Sequence, residues 1–307
     1  MIETMVRPNS AGSPAARWWP DFLLLAAIWG ATFLFMRLAV VEFGAIVTAT
    51  LRAAIGAAAL LPVLLWRREM ALWLPHWKPV FAVGVLNASI PSACLSYALL
   101  SLTTGLTSIV NATVPLFGAL LGWLWLQQRP GRLVVAGLAA GFVGVAALAW
   151  DQAGIKDGAA AWASLVAVLA AATAALSGAF SALFTRRYLA SVPPLALATG
   201  SQIGATLGLV VPAALLWPAQ WPGTSAWLGV LGAGVICTGA GYLLFFRVVE
   251  RAGPNRAITV TFLMPLFAMF YGLLFLGESI TAGMLGCAAL IIGGTVLSTG
   301  LLRRRPA

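Results

Sequence analysis

Twenty consecutive residues from Phe22 to Val41 carry a single charge, Arg37, and runs of the same kind recur to the end of the chain. A bilayer core about 30 Å thick is crossed by about 20 apolar helical residues. Divided at polar and Pro/Gly breaks, the runs predict ten spans: 20–40, 44–66, 79–100, 104–127, 132–150, 159–186, 194–217, 224–247, 254–277 and 281–302. Ala, Leu and Gly dominate, and the runs are too long and too uniformly apolar for barrel strands. With 61% hydrophobic and 8% charged residues, no soluble fold of 307 residues has interior enough to hide them. Arg7 and Arg17 ahead of the first run resemble the start of a secretion signal. The length of that run, and Arg37 where a small-residue cleavage site would stand, predict a retained helix. Cys94, Cys237 and Cys287 all fall inside spans with no zinc or disulfide spacing, and read as small apolar packers.

The net charge of +10 fits membrane insertion better than nucleic acid. With the N-terminus in the cytoplasm, fifteen of the eighteen Lys and Arg residues fall on cytoplasmic loops or tails. Arg37, Arg52 and Lys156 are the remainder. This positive-inside bias supports both the count of ten and the orientation, with both termini cytoplasmic. No aromatic–basic interleaving on a soluble face points to nucleic acid.

A constant offset of 150 residues relates the two halves of the chain. It links Pro62 to Pro212, Gly84 to Gly234, Val85 to Val235, Gly122 to Gly272 and Gly144 to Gly294. It also links Arg37 to Arg187, and it maps the Pro115-Leu-Phe of "VPLFGALLGWLWL" onto the Pro265-Leu-Phe of "MPLFAMFYGLLFL". Five helices per half is an odd number, so the second half enters the membrane upside down. The predicted fold is therefore an all-α membrane protein of ten transmembrane helices in two five-helix inverted-topology repeats. Repeats at 20–150 and 159–302 are joined by a periplasmic linker at 151–158 and flanked by cytoplasmic tails at 1–19 and 303–307. Inverted repeats commonly enclose a substrate site near the midplane.

Pro115 and Pro265 cannot donate to the carbonyls of Asn111 and Thr261, four residues earlier. Each half is thus expected to place a kink, a freed carbonyl and a polar side chain at mid-depth. The prolines read as hinges; Asn111 and Thr261 either line a cavity or satisfy the kink locally. The third span is the most polar, with Asn87, Ser89, Ser92, Ser96 and Tyr97. Thr238 and Tyr242 on the eighth span, Trp29 and Thr32 on the first, and Tyr271 on the ninth extend a candidate lumen with aromatic walls. Small hydroxyl residues can equally serve close helix approach, as for Ser177 and Ser181 on the sixth span. Arg52, about two turns into the second span, is the one charge well inside the membrane, and it either meets a substrate carboxylate or pairs with Glu42 or a carbonyl. No Asp or Glu falls in mid-span, which argues for facilitated diffusion or exchange over a proton-driven pump. There is no phosphate-binding glycine loop or metal cluster, and one histidine in total, so neither enzyme chemistry nor a cofactor is indicated.

The stretches "AIWGATFLFMR", "TLRAAIGAAALLP" and "YALLSLTTGLTSIVNATVPLFGALLGWLWL" resemble EamA-type transporters of the drug/metabolite transporter superfamily. So does "YLLFFRVVERAGPNRAITVTFLMPLFAMFYGLLFLGESIT" in the second half, and the resemblance covers about residues 20 to 302. It implies a central cavity and movement of small organic metabolites, amino-acid-like, with export ahead of uptake. It also favours a structural role for Arg52. The family's Gly-Glu after the Pro-containing helix is kept at Gly277 and Glu278, whereas Gln127 and Gln128 stand in the first half, which weakens a paired-carboxylate role. The expected partners are a metabolite and the lipid bilayer, with a monomer or weak dimer compatible. The Arg-heavy, Ala/Gly-rich composition points to a bacterial inner membrane. A lipid or polyprenyl-phosphate flippase and an intramembrane enzyme are the alternatives.

Overall fold

The computed structural model describes residues 18–127, 130–154 and 159–298. Residues 1–17 and 303–307 of the tails, 155–158 of the linker, Gln128, Arg129 and the last four residues of the tenth expected span lie outside them. Every regular element among the described residues is helical. Among the described residues eight helices are long and apolar enough to cross a membrane: α1 (Trp19–Trp66), α2 (Met70–Ala98), α3 (Thr104–Trp125), α4 (Arg132–Trp150), α5 (Ala160–Tyr188), α6 (Pro194–Leu215), α7 (Thr224–Ala252) and α8 (Arg256–Leu276). A shorter apolar helix, α9 (Ala282–Leu297), follows.

The expected count of ten differs from this at two places. The first two expected spans run together in α1, and the tenth corresponds to α9, whose described part reaches Ser298 of the expected 281–302. At 48 residues α1 would be about 72 Å long if straight, more than twice a bilayer core. It is bent at Gly44, whose φ of 72° and ψ of 171° suit a residue without Cβ.

Glycines fix how the helices meet, because without a hydrophobic drive between them membrane helices gain from close backbone approach. A Cβ at Gly84 on α2 would stand 2.5 Å from the Ser201 carbonyl oxygen and 2.9 Å from the Ala205 nitrogen on α6. Its repeat partner Gly234 on α7 meets Ile55 and the Arg52 carbonyl on α1 in the same way. Ile55 and Ala205 are themselves 150 residues apart. Gly144 on α4 abuts Cys287 and Ile291 on α9, while Gly294 on α9 abuts Gly137 and Gly141 on α4. These pairs are exchanged by one approximate two-fold axis. Thr50 donates to the Leu209 carbonyl at 3.5 Å and Ala53 clusters with Ala205, so position falls on α6 as it rises on α1. Corresponding helices therefore pair antiparallel, as an inverted duplication requires.

Candidate functional site

Two apolar clusters flank the bundle at the end carrying Arg186, Arg187 and Arg251. One joins Leu60, Leu64 and Val80 to Leu189 and Val192; the other joins Phe22 and Leu25 to Leu244 and Val248. Between them lies a cavity of about 570 Å³, reaching from Arg186 and Pro194 at the mouth to Trp29, Asn87, Ser181 and Tyr242 at its floor. Trp29 and Tyr242 also line a second, smaller cavity of about 130 Å³ at mid-depth. That inner chamber is walled by Phe33, Met36, Leu95 and Met264, with Thr32, Arg52, Asn111, Cys237 and Thr238 as its polar members. At the opposite end one large cluster, including Leu99, Leu106, Leu148, Ala171 and Met284, closes the bundle.

Both cavities sit against a local change of helix type. Val85–Ser89 on α2 and Gly232–Ala240 on α7 are π-helical, and the 150-residue offset superposes them. Thr238 donates to the Ala233 carbonyl at 2.9 Å, five residues back, and Ser177 on α5 donates to the Leu86 carbonyl at 2.7 Å. π turns widen the helix and concentrate at functional sites. Here they carry Asn87 and Cys237, a repeat pair, into the cavity walls.

Arg52 and its surroundings show the same symmetry. Its Nη1 donates to Ser92 Oγ on α2. The repeat partners of these two residues are Gln202 and Tyr242. The side chains of Gln202 and Asn87 converge on the Tyr242 hydroxyl, which also faces Arg52. Arg52 Nε is buried without an acceptor among the described residues, as is Ser96 Oγ. The expected pairing with Glu42 is not made: that carboxylate accepts from the Gly223 N–H at 2.5 Å. Trp29 stacks on Phe245 with centroids 5.2 Å apart and meets Tyr242 edge-on at 6.4 Å.

The structure thus brings Trp29, Arg52, Asn87, Asn111, Thr238 and Tyr242 together at the two cavities. It places the other expected residues elsewhere. Ser89 packs against α6, its hydroxyl directed at the Ala205 carbonyl at 3.3 Å. Tyr97 is 42% exposed on the outside of α2. Thr261 turns back to the Ile258 carbonyl at 2.9 Å. Tyr271 lines an apolar groove of about 640 Å³ with Ile28, Leu34, Phe35 and Phe275, on another face of α1. The prolines differ too. The α3 helix is already interrupted between Asn111 and Val114, so Pro115 lies in the first turn of the segment Val114–Leu126, where no N–H is needed. Pro265 remains inside its helix and is buried. Gln202 is a functional neighbour that polarity and periodicity did not single out, although the offset from Arg52 marks it.

Glu278, kept only in the second half, ties the closed end together. Its carboxylate accepts from the Thr104 N–H, 3.0 Å from both oxygens, and from the Thr104 hydroxyl at 2.7 Å. Thr104 opens α3, so an anion caps the N-terminus of a helix from the other half. A methyl group at Gly272 would overlap both partners. The repeat partner of Thr104 is Pro254, which has no N–H to give. The sequence therefore has neither this donor nor this acid at the two corresponding positions, Pro254 and Gln128.

A sequence model described as the EamA-like transporter family matches residues 18–150 and 165–300, one copy per half. The chain is 24% identical over 280 residues to the uncharacterized transporter YoaV of Bacillus subtilis, covering 91% of this chain and 95% of that protein. It is 26% identical over 292 residues to the uncharacterized transporter YwfM of the same organism, covering 93% and 95%. PagO of Salmonella typhimurium is 22% identical, over 89% of this chain and 90% of its own. A solved crystal structure superposes with a TM-score of 0.64 at 20% identity, over 92% of this chain and 96% of that one, which speaks for the fold alone.

Proposed function

Since the chain belongs to the EamA-like transporter family and spans the membrane several times, we propose that it is a secondary transporter of small organic metabolites working by alternating access. The observation that carries this reading is the pair of adjoining cavities at the interface of the two repeats. The outer one lies toward one end of the bundle, the two share Trp29 and Tyr242, an apolar cluster packs the other end, and polar groups from both halves line the inner one. Sites at repeat interfaces are where such proteins bind cargo.

The proposed topology has ten spans, with α1 crossing twice about Gly44 and α9 as the last crossing. The arginines at the open end support a cytoplasmic mouth, cytoplasmic termini and a bacterial inner membrane. On that assignment the structure is inward-facing, with Glu278 and Thr104 as the periplasmic closure. The proposed cargo is amino-acid-like, and export is the favoured direction. Among the described residues no acidic side chain lines either cavity, which supports facilitated diffusion or exchange in place of proton coupling. The apolar groove beside Tyr271 does not favour a lipid flippase, because the residues lining it include no cation that would hold a headgroup. Flux into proteoliposomes with and without a pH gradient tests the proposal. Flux that persists without the gradient supports it, and strict dependence on the gradient overturns the uncoupled mechanism.

A further inference from the structure

The inner chamber carries a charge, Arg52, that forms no ion pair among the described residues. A guanidinium offers five N–H donors. Among the described residues one of Arg52's finds an acceptor, the neutral Ser92 hydroxyl, and Nε is buried with none. Tyr242 and Cys237, which line the same chamber, are neutral when protonated. Three of the described carboxylates are engaged at helix ends: Asp21 with Arg251 at 2.6 Å, Glu42 with the Gly223 N–H, and Glu278 with Thr104. An unpaired buried charge is destabilising, and a site that keeps one has left room for the counter-charge to arrive.

We infer that Arg52 is the anchor for a carboxylate on the cargo, and that the cargo is a monocarboxylate with an apolar or aromatic body. The inference deepens the transporter reading and rests on it. A carboxylate accepts two parallel N–H bonds from a guanidinium, and Arg52 lines the chamber where such a group would sit. The rest of the chamber sorts cargo by what it lacks. Phe33, Met36, Leu95 and Met264 match an apolar body, and Trp29 offers an aromatic face. An ammonium group would find only neutral acceptors in Asn111, Thr32 and Thr238, beside a like charge. A second carboxylate would find no second cation. An amino group is therefore tolerated on a molecule that brings its own carboxylate, but it is not what the site reads. A free amine has nothing to hold it.

Labelled hydrocinnamate is the probe, bound to the full-length protein in nanodiscs, with phenylalanine, hydrocinnamamide and phenethylamine as competitors. The expected result is saturable binding of hydrocinnamate, displaced by phenylalanine and displaced at least about tenfold less well by the amide and the amine. Arg52→Gln should abolish binding, and Arg52→Lys, which keeps the charge but loses the parallel N–H donors, should retain a weakened part of it. The acid–amide comparison needs no variant, so misfolding of Arg52→Gln leaves the test intact. No saturable binding at millimolar concentration, an amide as effective as the acid, or a well-folded Arg52→Gln that binds normally would each overturn the inference. Hydrocinnamate flux in proteoliposomes separates this from the broader reading. Arg52-dependent binding without flux removes the transporter and leaves the anchor. Flux of a neutral or cationic solute that is indifferent to Arg52→Gln removes the anchor and leaves the transporter.

Discussion

Replacing Thr104 by proline perturbs the closed end of the bundle at one bond. Thr104 is the first residue of its helix, where proline's fixed φ is favourable and no intrahelical N–H is lost. Thr103 before it has φ −69° and ψ 161°, the extended geometry a residue preceding proline adopts. The variant therefore keeps the backbone, reproduces what Pro254 supplies in the other half, and removes both donors to Glu278. Hydrogen bonds to a charged acceptor contribute about 1.5–3 kcal/mol each. Part of the carboxylate's partnering is recovered from water once it is released, so a net loss of about 1–2 kcal/mol is expected. If Glu278 and Thr104 hold the periplasmic end shut, that loss raises the outward-open population about five- to thirtyfold. In a background with Cys94, Cys237 and Cys287 replaced by Ser, a cysteine at the buried position Ser96 reports this opening. Its labelling by a membrane-impermeant thiol reagent from outside should accelerate by that factor. Glu278→Gln should act in the same direction, and the two changes together should add little to either alone, since they remove one interaction. Unchanged labelling in Thr104→Pro, or full additivity with Glu278→Gln, would refute the closure.

Other substitutions follow from the same contacts. Gly272→Ala forces a methyl group into Glu278 and Thr104, and should cost about 1–3 kcal/mol, read as a lowered melting temperature with accelerated Ser96→Cys labelling. Ser177→Ala removes the donor to the Leu86 carbonyl beneath the π turn, and should destabilise by about 1 kcal/mol with Asn87 displaced enough to slow flux. Asn111→Ala should reduce flux, since its amide lines the inner chamber, whereas Tyr97→Ala should leave flux unchanged because Tyr97 faces outward.

Much of this architecture was legible in the sequence because its physical causes are local or periodic. Apolar runs report a solvent that cannot hydrogen-bond the backbone, and the repeated glycines report where two backbones touch. Gly84, Gly144, Gly234 and Gly294 do stand at close helix contacts. Arg52 was conspicuous because a charge at that depth is costly. What periodicity could not decide is which polar face meets a cavity and which meets another helix. Ser89 and Ser92 share a face of an ideal α-helix, but Ser89 ends the π turn at Val85–Ser89 while Ser92 lies in the α-helical segment that follows. Ser92 reaches Arg52 while Ser89 packs against α6. That turn depends on a hydroxyl from α5, a contact no local pattern encodes. The interruption after Asn111 likewise moved Pro115 from a mid-helix fault to a helix start. Gln202 was readable only by carrying the repeat offset onto Arg52, and its ordinary polarity gave no other reason to look.

The central claim is that a solute passes through the chamber around Arg52. It is tested most directly with proteoliposomes filled with a bacterial small-metabolite extract and followed by mass spectrometry of the external medium. Vesicles carrying the wild-type protein should release at least one low-mass carboxylate that stays inside protein-free vesicles and inside vesicles carrying Arg52→Gln. Identical release profiles from all three would contradict the account.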